Sequence, residues 1–374
     1  MAPEGDDLTV GVEEEFLLVD AESRRLVPAA ARVLDGARAA AGARGQVEHE
    51  LQLAQVETGT EVCRTLGEVR AEVTRLRRAV ATAAEAAGCR VASAGTHPMP
   101  PGDAVAFTPK ASYLRLERDY QQVAREQLVC GCHVHVGVAD AEVAVQVLNR
   151  ALPWLPVVRA LAANSPFWMG DDTGYASFRS EIWSRWPTAG TPAPFADRAE
   201  YDRVVADLMA VGAVDGPARV YWDVRPSARY DTLEFRVTDA CLRVDETVMV
   251  AGLLRALVAT LAACVADGAE AAAPRPELLR AAAWRAARYG TEGELVDLEA
   301  GRSMPAAQVV GRLLALVRPA LEAAGEWDEI RAGVERVLAG GTGAARQRQA
   351  FARTATLEGV VDLIVAETAP APRR

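Results

Sequence analysis

The sequence predicts an α+β fold, with strands in the first two thirds and helices interspersed and then dominant at the end. Three observations carry that expectation. Residues 8–20 alternate in polarity as a strand does, and so does VCGCHVHVGV at 129–138; from about residue 243 the pattern turns helical and alanine-rich.

In the first strand Leu8, Val10, Val12, Phe16 and Leu18 point one way, and Thr9, Gly11, Glu13, Glu15, Leu17 and Val19 the other. A second strand is expected across 47–58. Thr65 should start a helix, with Glu68 completing a capping box and Leu66, Val69, Val73, Leu76 and Val80 forming its apolar stripe. A short strand near 90–95 precedes a loop with Pro98, Pro100, Pro101 and Pro109, and a helix near 113–128 leads into the strand at 129–138. Asp140 should cap the next helix, which runs towards Pro153 and Pro156. Residues 164–195 are rich in Gly, Pro, Ser and Trp without periodicity, and their aromatic content favours a functional loop. Two further strands are expected at 219–224 and 231–238. No repeat or linker divides the chain, so residues 1–374 are expected to form a single domain, with a core over 8–295 and a helical part over 296–370.

Composition narrows the function. The chain has 374 residues, half hydrophobic and a quarter charged, enough for a sizeable core. A net charge of −10 speaks against nucleic acid or an anionic membrane as the main partner. The start, MAPEGDDLTV, lacks the basic and apolar regions of a secretory leader, and the apolar stretch 248–266 contains Arg255, as a buried core helix would tolerate. Six cysteines make no disulfide scaffold, so a reducing, cytoplasmic setting is expected. Among 41 basic residues only Lys110 is a lysine, and no GxxxxGK[ST] loop occurs. Arginine and metal ions are left as phosphate partners.

Carboxylates on strands are the strongest signal. Glu13 and Glu15 share one sheet face, where like charges repel unless the face is solvated or a cation lies between them. Glu14 points to the apolar face and is the poorer ligand candidate; Glu14→Ala is expected to be the mild member of the series. Glu50 and Glu57 stand seven apart, so an uninterrupted strand would separate them; a shared site needs a bulge or bend, and otherwise they are surface acids. In CGCHVHVGV, alternation puts Cys130 and Cys132 on one face and His133 and His135 on the other. That undermines a four-ligand zinc site and makes the cysteines small core residues. The histidines can serve a metal and an anion side by side, or be satisfied and partly buried. Glu234 and Arg236 in TLEFRVTD pair an oxygen ligand with a bidentate donor, or serve in a cross-strand salt bridge. Together these residues suit a hard cation such as Mg²⁺ or Mn²⁺, with phosphate completing its shell.

GVEEEF, E-x6-E, GCHVHVG and LEFR, in this order, resemble the glutamine synthetase/glutamate–cysteine ligase superfamily, most closely the bacterial type 2 glutamate–cysteine ligases (YbdK-like carboxylate–amine ligases). AGTHP at 94–98, SFRSEIWSRWPTAG at 177–190, YWDVRPSARYDTLEFRVTD at 221–239 and RYGTEG at 288–293 agree with that family. The resemblance implies a glutamine-synthetase-like domain: a curved, mostly antiparallel sheet with helices packed on one side and ATP, metals and substrate on the concave face. It implies Glu13, His133 and Glu234 as ligands of one Mg²⁺, and Glu15, Glu50 and Glu57 as ligands of a second. His135 would approach the nucleotide phosphates, and Arg236 the transferred phosphoryl group. The implied reaction joins the γ-carboxylate of glutamate to the amine of cysteine, through an acyl phosphate formed from ATP.

Arg179 and Arg225 are the candidates for gripping an amino-acid carboxylate, with structural salt bridges as the alternative. Trp183 and Trp186 are candidates to line the pocket, His97 has no assigned task, and His49 should point away from the metal face. One departure stands out: the family's polar Asn–Arg or Asn–Lys pair before RYG is here Ala282 and Ala283, which bears on specificity. Enzyme size and the resemblance suggest a homodimer. The same chemistry with another amine or acid, a metal-dependent amidohydrolase and a silent binding protein are the competing readings; HExxH is absent, and a silent protein would not need six ligands intact.

Overall fold

The long strand β1 (Val10–Asp20) organises the sheet because it has three antiparallel partners. Its first half pairs with β5 (Gly131–Gly137), its middle with β3 (Gln55–Gly59) and its end with β4 (Cys89–Ala92). With β2 (Gln46–His49), β8 (Val224–Pro226) and β9 (Thr232–Asp239), this makes seven strands in the order β2-β3-β1-β5-β9-β8, with β4 beside β1. This computed structural model describes residues 8–41, 46–102, 106–270 and 274–369. Most of the N-terminal stretch read for a leader, and residue 370 of the helical part, lie outside them.

The α+β expectation holds, and alternation in β1 and β5 explains which face is buried. Val10, Val12, Cys132, Val134, Val136, Leu233, Phe235 and Val237 are buried in one cluster with α9 (Val244–Ala266). Each fully buried large apolar side chain contributes roughly 1.5–3 kcal/mol. Helices α2 (Leu66–Ala86) and α5 (Ala141–Ala151) pack on α9 and close that side. The capping box of Thr65 and Glu68 is present, and Asp140 caps α5 through the N–H groups of Glu142 and Val143. α9 is long and apolar enough to cross a membrane by length and composition, yet most of it is buried inside the protein. Arg255, in its middle, pairs with Glu326.

Several expectations need correction. The strand expected across 47–58 is two antiparallel strands, β2 and β3, joined through residues 50–54. The segment reverses without glycine or proline, held instead by hydrogen bonds from Leu53 N–H to the Ala106 carbonyl and from Gln55 N–H to the Gln52 carbonyl. The helix expected near 113–128 is α3 (Ala111–Tyr120) and α4 (Gln122–Arg125), broken at Gln121, whose φ is 49°. Residues 164–195 are not structureless. After α6 (Leu155–Leu161) they contain the small hairpin β6 (Phe167–Trp168) and β7 (Asp171–Asp172), then α7 (Phe178–Trp183). Asp239 pins this segment, accepting hydrogen bonds from Asn164 N–H and the Ser165 and Ser177 hydroxyls. The strand expected at 219–224 begins only at Val224, after α8 (Arg198–Ala210) and a 3₁₀ turn at Pro217–Arg219.

Glu14 is also different from expectation. It points to the apolar face, as alternation requires, but is neutralised there by fully buried Arg77 of α2 at 2.7 and 3.0 Å. The Thr247 hydroxyl donates to the same carboxylate. Removing one partner of a buried pair strands the other charge, so Glu14→Ala should cost stability, whatever it leaves of turnover.

Beyond α9 the described residues are helical except for one unexpected hairpin. α10 (Pro276–Tyr289) precedes β10 (Glu294–Asp297) and β11 (Arg302–Pro305), whose turn uses Gly301 at φ 65°. Then follow α11 (Ala306–Ala323), α12 (Trp327–Gly340), α13 (Gly343–Thr354) and α14 (Leu357–Thr368). These helices lock onto the sheet region. Gln347 donates to the Asn164 side chain, the Thr368 hydroxyl accepts from Ser93 N–H, and Val360, Val361 and Ile364 share a core with Leu17 and Val19.

Candidate functional site

The polar face of the sheet is assembled by register. Across β1 and β5, Glu13 lies opposite His133; across β1 and β3, Glu15 lies opposite Glu57. His135 faces Glu234 across β5 and β9, and Glu234 faces Arg225 of β8. Directly paired residues present neighbouring side chains on one face, so residues as far apart in the chain as Glu13 and Glu234 converge.

Glu13 is the hub. One carboxylate oxygen lies 3.2 Å from His133 Nδ1 and the other 3.4 Å from His135 Nε2. Burial works against its charged form, but the two histidines outweigh it and hold the Glu13 carboxyl well below the usual range. Glu234 behaves alike: burial is outweighed by Arg236, Arg225 and His135, and the carboxyl is held low. Glu15 accepts the Gly131 N–H at 2.6 Å and lies 3.8 Å from His133 Nε2.

Glu50 and Glu57 are in the opposite state. Burial first, then the nearby Glu15 charge, pushes the Glu50 carboxyl up to about 8. Burial and Glu13 push Glu57 well above its usual value. The bend at 50–54 is what brings Glu50 into electrostatic reach of Glu57, Glu13 and Glu15. Burial and the Arg236 charge push the His133 imidazole down, which keeps it neutral.

Two three-donor groups have ligand atoms within 4.8 Å of one another: Glu13, His135 and Glu234, and Glu13, Glu57 and His133. Nε2 of both His133 and His135 is buried without a hydrogen-bond partner. Crowded carboxylates beside two unsatisfied imidazole nitrogens fit a divalent cation, and the oxygen-rich donor set fits a hard one. These groups cut across the division that family motifs imply, since His135 rather than His133 joins Glu13 and Glu234.

Arg236 donates to Glu234 and stacks over Trp183 and Tyr221. Arg225 is spent on the protein: it grips Glu234 at 2.9 and 3.1 Å and donates to the Ala218 and Val220 carbonyls. Its geometry positions Glu234. Arg179 is only 2 % exposed, makes no ion pair among the described residues, and reaches Gly131, where a Cβ would collide with its guanidinium. Trp183 lies between Arg179 and Arg236, with both cations 5.5 Å from its ring centre.

Other residues fall elsewhere. Trp186 is buried in an aromatic cluster with Tyr120 and Tyr221. His97 is satisfied by the Met99 and Arg24 carbonyls and is structural. Cys130 and Cys132 are buried free thiols in separate cores. Ala282 is buried in the core side of α10, and Ala283 lines a cavity with Arg179 and Trp183. Sequence reasoning missed Tyr230, which lines both cavities that open on Glu13 and His135 and meets the His135 ring edge-on. An aromatic in a short loop before a strand carries no distinguishing local signal.

Residues 9–367 match the profile of glutamate-cysteine ligase family 2. A protein of Frankia alni, provisionally named glutamate–cysteine ligase 2-2, is 48% identical over 96% of this chain and 97% of its own length. Its counterpart in Salinispora arenicola, glutamate–cysteine ligase 2, is 49% identical over 99% of this chain and 97% of that one. Among solved structures, the fold is similar to the glutamate–cysteine ligase of Francisella tularensis in complex with AMP (TM-score 0.68, 11% identity), with 98% of this chain and 89% of that one covered. It is also similar to a bifunctional glutathione synthetase from Pasteurella multocida (TM-score 0.72, 15% identity), covering 98% of this chain and 53% of that one.

Proposed function

The chain belongs to the glutamate–cysteine ligase family 2 and is an ATP-dependent carboxylate–amine ligase, and we propose that its acid is glutamate and its amine cysteine. One observation carries the chemistry. Glu13 is shared by two three-donor groups, with Arg236 alongside at Glu234 and the orphaned Nε2 atoms of His133 and His135 facing the same carboxylates. In this reading Glu13, Glu57, Glu234 and the histidines hold Mg²⁺, with Glu15 and Glu50 completing the oxygen set. When bound, the ions would neutralise the ATP phosphates and the charge that develops during phosphoryl transfer.

The chain's own groups then divide the work. The γ-carboxylate of glutamate attacks the γ-phosphorus of ATP, giving an acyl phosphate and ADP. Arg236, kept cationic by Glu234, would stabilise the transferred phosphoryl group. His135 has Nδ1 3.0 Å from the Thr232 hydroxyl, which leaves Nε2 for the ion that would carry the phosphates. Arg225 holds Glu234 in place, and Arg179, which makes no direct ion pair among the described residues, is the guanidinium for a substrate carboxylate. The neutral amine then attacks the acyl carbon and phosphate leaves, so no covalent enzyme intermediate is needed. The C-terminal helices belong to the same catalytic unit, since they share a core with β1.

The test is ADP release with ATP, Mg²⁺ and amino-acid pairs, with the product identified by mass. Release that requires glutamate plus cysteine supports the full reading. Release that requires glutamate and a different amine corrects the acceptor. Amide hydrolysis without ATP would sink it.

A further inference from the structure

The cavity beyond Trp183 is not accounted for by metal or phosphate chemistry. About 370 Å³ in volume, it lies between α6, α7, residues 189–191 and α10. Two of its charges neutralise each other: Arg159 reaches both oxygens of Asp223 at 3.0 Å, and the Thr191 hydroxyl donates to the same carboxylate. Arg280 of α10 also lines it, and two charges on α7, Arg179 and Glu181, make no ion pair among the described residues. Arg179 is 2 % exposed with its Nε unpartnered, and Glu181 makes no side-chain hydrogen bond or ion pair among the described residues. Burial pushes the Glu181 carboxyl up against the pull of Arg159, and the Arg179 guanidinium down against Asp239 and Glu15, none of which closes an ion pair with it.

Opposite charges on one cavity wall that make no direct ion pair can both be satisfied by a ligand that carries both signs. A zwitterion does so, with its carboxylate on a guanidinium and its ammonium on a carboxylate. The two amino-acid substrates of a ligase differ in this respect. The attacking amine must be neutral and must sit at the acyl phosphate, so its nitrogen cannot rest as an ammonium on a remote acid. The donor's α-amino group is a spectator and stays protonated. We propose that Glu181 is the specificity residue that reads the α-ammonium of the acid substrate, beside Arg179 on its α-carboxylate; this rests on the ligase reading above. The donor's distal carboxylate then runs past Trp183, whose ring carries both Arg179 and Arg236, to the reacting centre.

The experiment compares L-glutamate with glutarate, the same dicarboxylate without the ammonium, trapping the acyl phosphate as a hydroxamate with ATP, Mg²⁺ and hydroxylamine. Wild-type protein should favour glutamate by roughly 100-fold in kcat/KM, because a site built for a polar group rejects the analogue lacking it. Glu181→Gln should cut that preference to roughly tenfold or less through the KM for glutamate, leaving kcat and the constants for ATP and glutarate near wild type. Glu181→Asp, which keeps the charge, should restore part of the preference. An unchanged preference in Glu181→Gln, an equal loss with both donors, or a wild type indifferent to the ammonium overturns the assignment. A wild type that forms no hydroxamate from either acid refutes the ligase reading instead.

Discussion

On the apolar face of β1, Glu14 is held by Arg77 and Thr247 and is wholly neutralised within the protein. On the other face, one residue away in either direction, Glu13 and Glu15 crowd against His133, His135, Glu50 and Glu57, and two imidazole nitrogens lack partners. The three glutamates are chemically identical and adjacent. What separates them is whether the fold supplies the counter-charge or leaves that to a ligand. A complete internal network reads as architecture; an incomplete one of the same residues reads as a binding site.

The comparison can be broken most severely at Glu14. Glu14→Ala leaves Arg77 buried and unpaired and should cost about 3–5 kcal/mol in denaturant unfolding. A loss under about 1 kcal/mol would mean that Glu14 is not structural. Glu13→Gln should behave in the reverse way. Thermal stability should fall only modestly, because the histidine contacts that favour the Glu13 charge are lost while its repulsion of Glu57 is relieved, and ATP-dependent turnover should fall about 10²–10³-fold. Turnover near wild type would remove Glu13 from the site.

A pH series sharpens the same contrast. Burial and Glu15 push the Glu50 carboxyl up to about 8 in the folded protein, from about 4.3 when unfolded. Its folded-state proton therefore stabilises the metal-free protein fully below the unfolded value, and that contribution is lost as pH rises through about 8. Metal-free protein should melt lower at alkaline pH than at pH about 6, and Mg²⁺ should raise the midpoint more at the alkaline end, since it displaces those protons. A midpoint independent of both pH and Mg²⁺ would contradict the clustered carboxylates. The smallest effect is expected when both halves of the structural pair go. Glu14→Met with Arg77→Met should cost far less than Glu14→Ala and should leave turnover intact, because a buried ion pair replaced by apolar volume is often neutral.

Much of this was legible locally. The α+β layout, the strand at β1, the caps of α2 and α5, and the separation of Glu13 and Glu15 from Glu14 follow from period-two alternation and capping chemistry. The reversal between β2 and β3 was not legible, because ELQLA carries no turn residue and is shaped by hydrogen bonds to residue 106. The order within 164–195 was hidden for a similar reason, since Asp239 imposes it from a distant strand.

By itself, then, the sequence determined which side chains share a face, since that depends only on backbone geometry within one strand. Tertiary structure alone decided which of them meet. The pairing of Glu13 with His133 and of His135 with Glu234 is set by inter-strand register. Arg77, which makes Glu14 structural, lies 63 residues away on a helix. No local periodicity encodes such contacts, because they form only when separate elements pack.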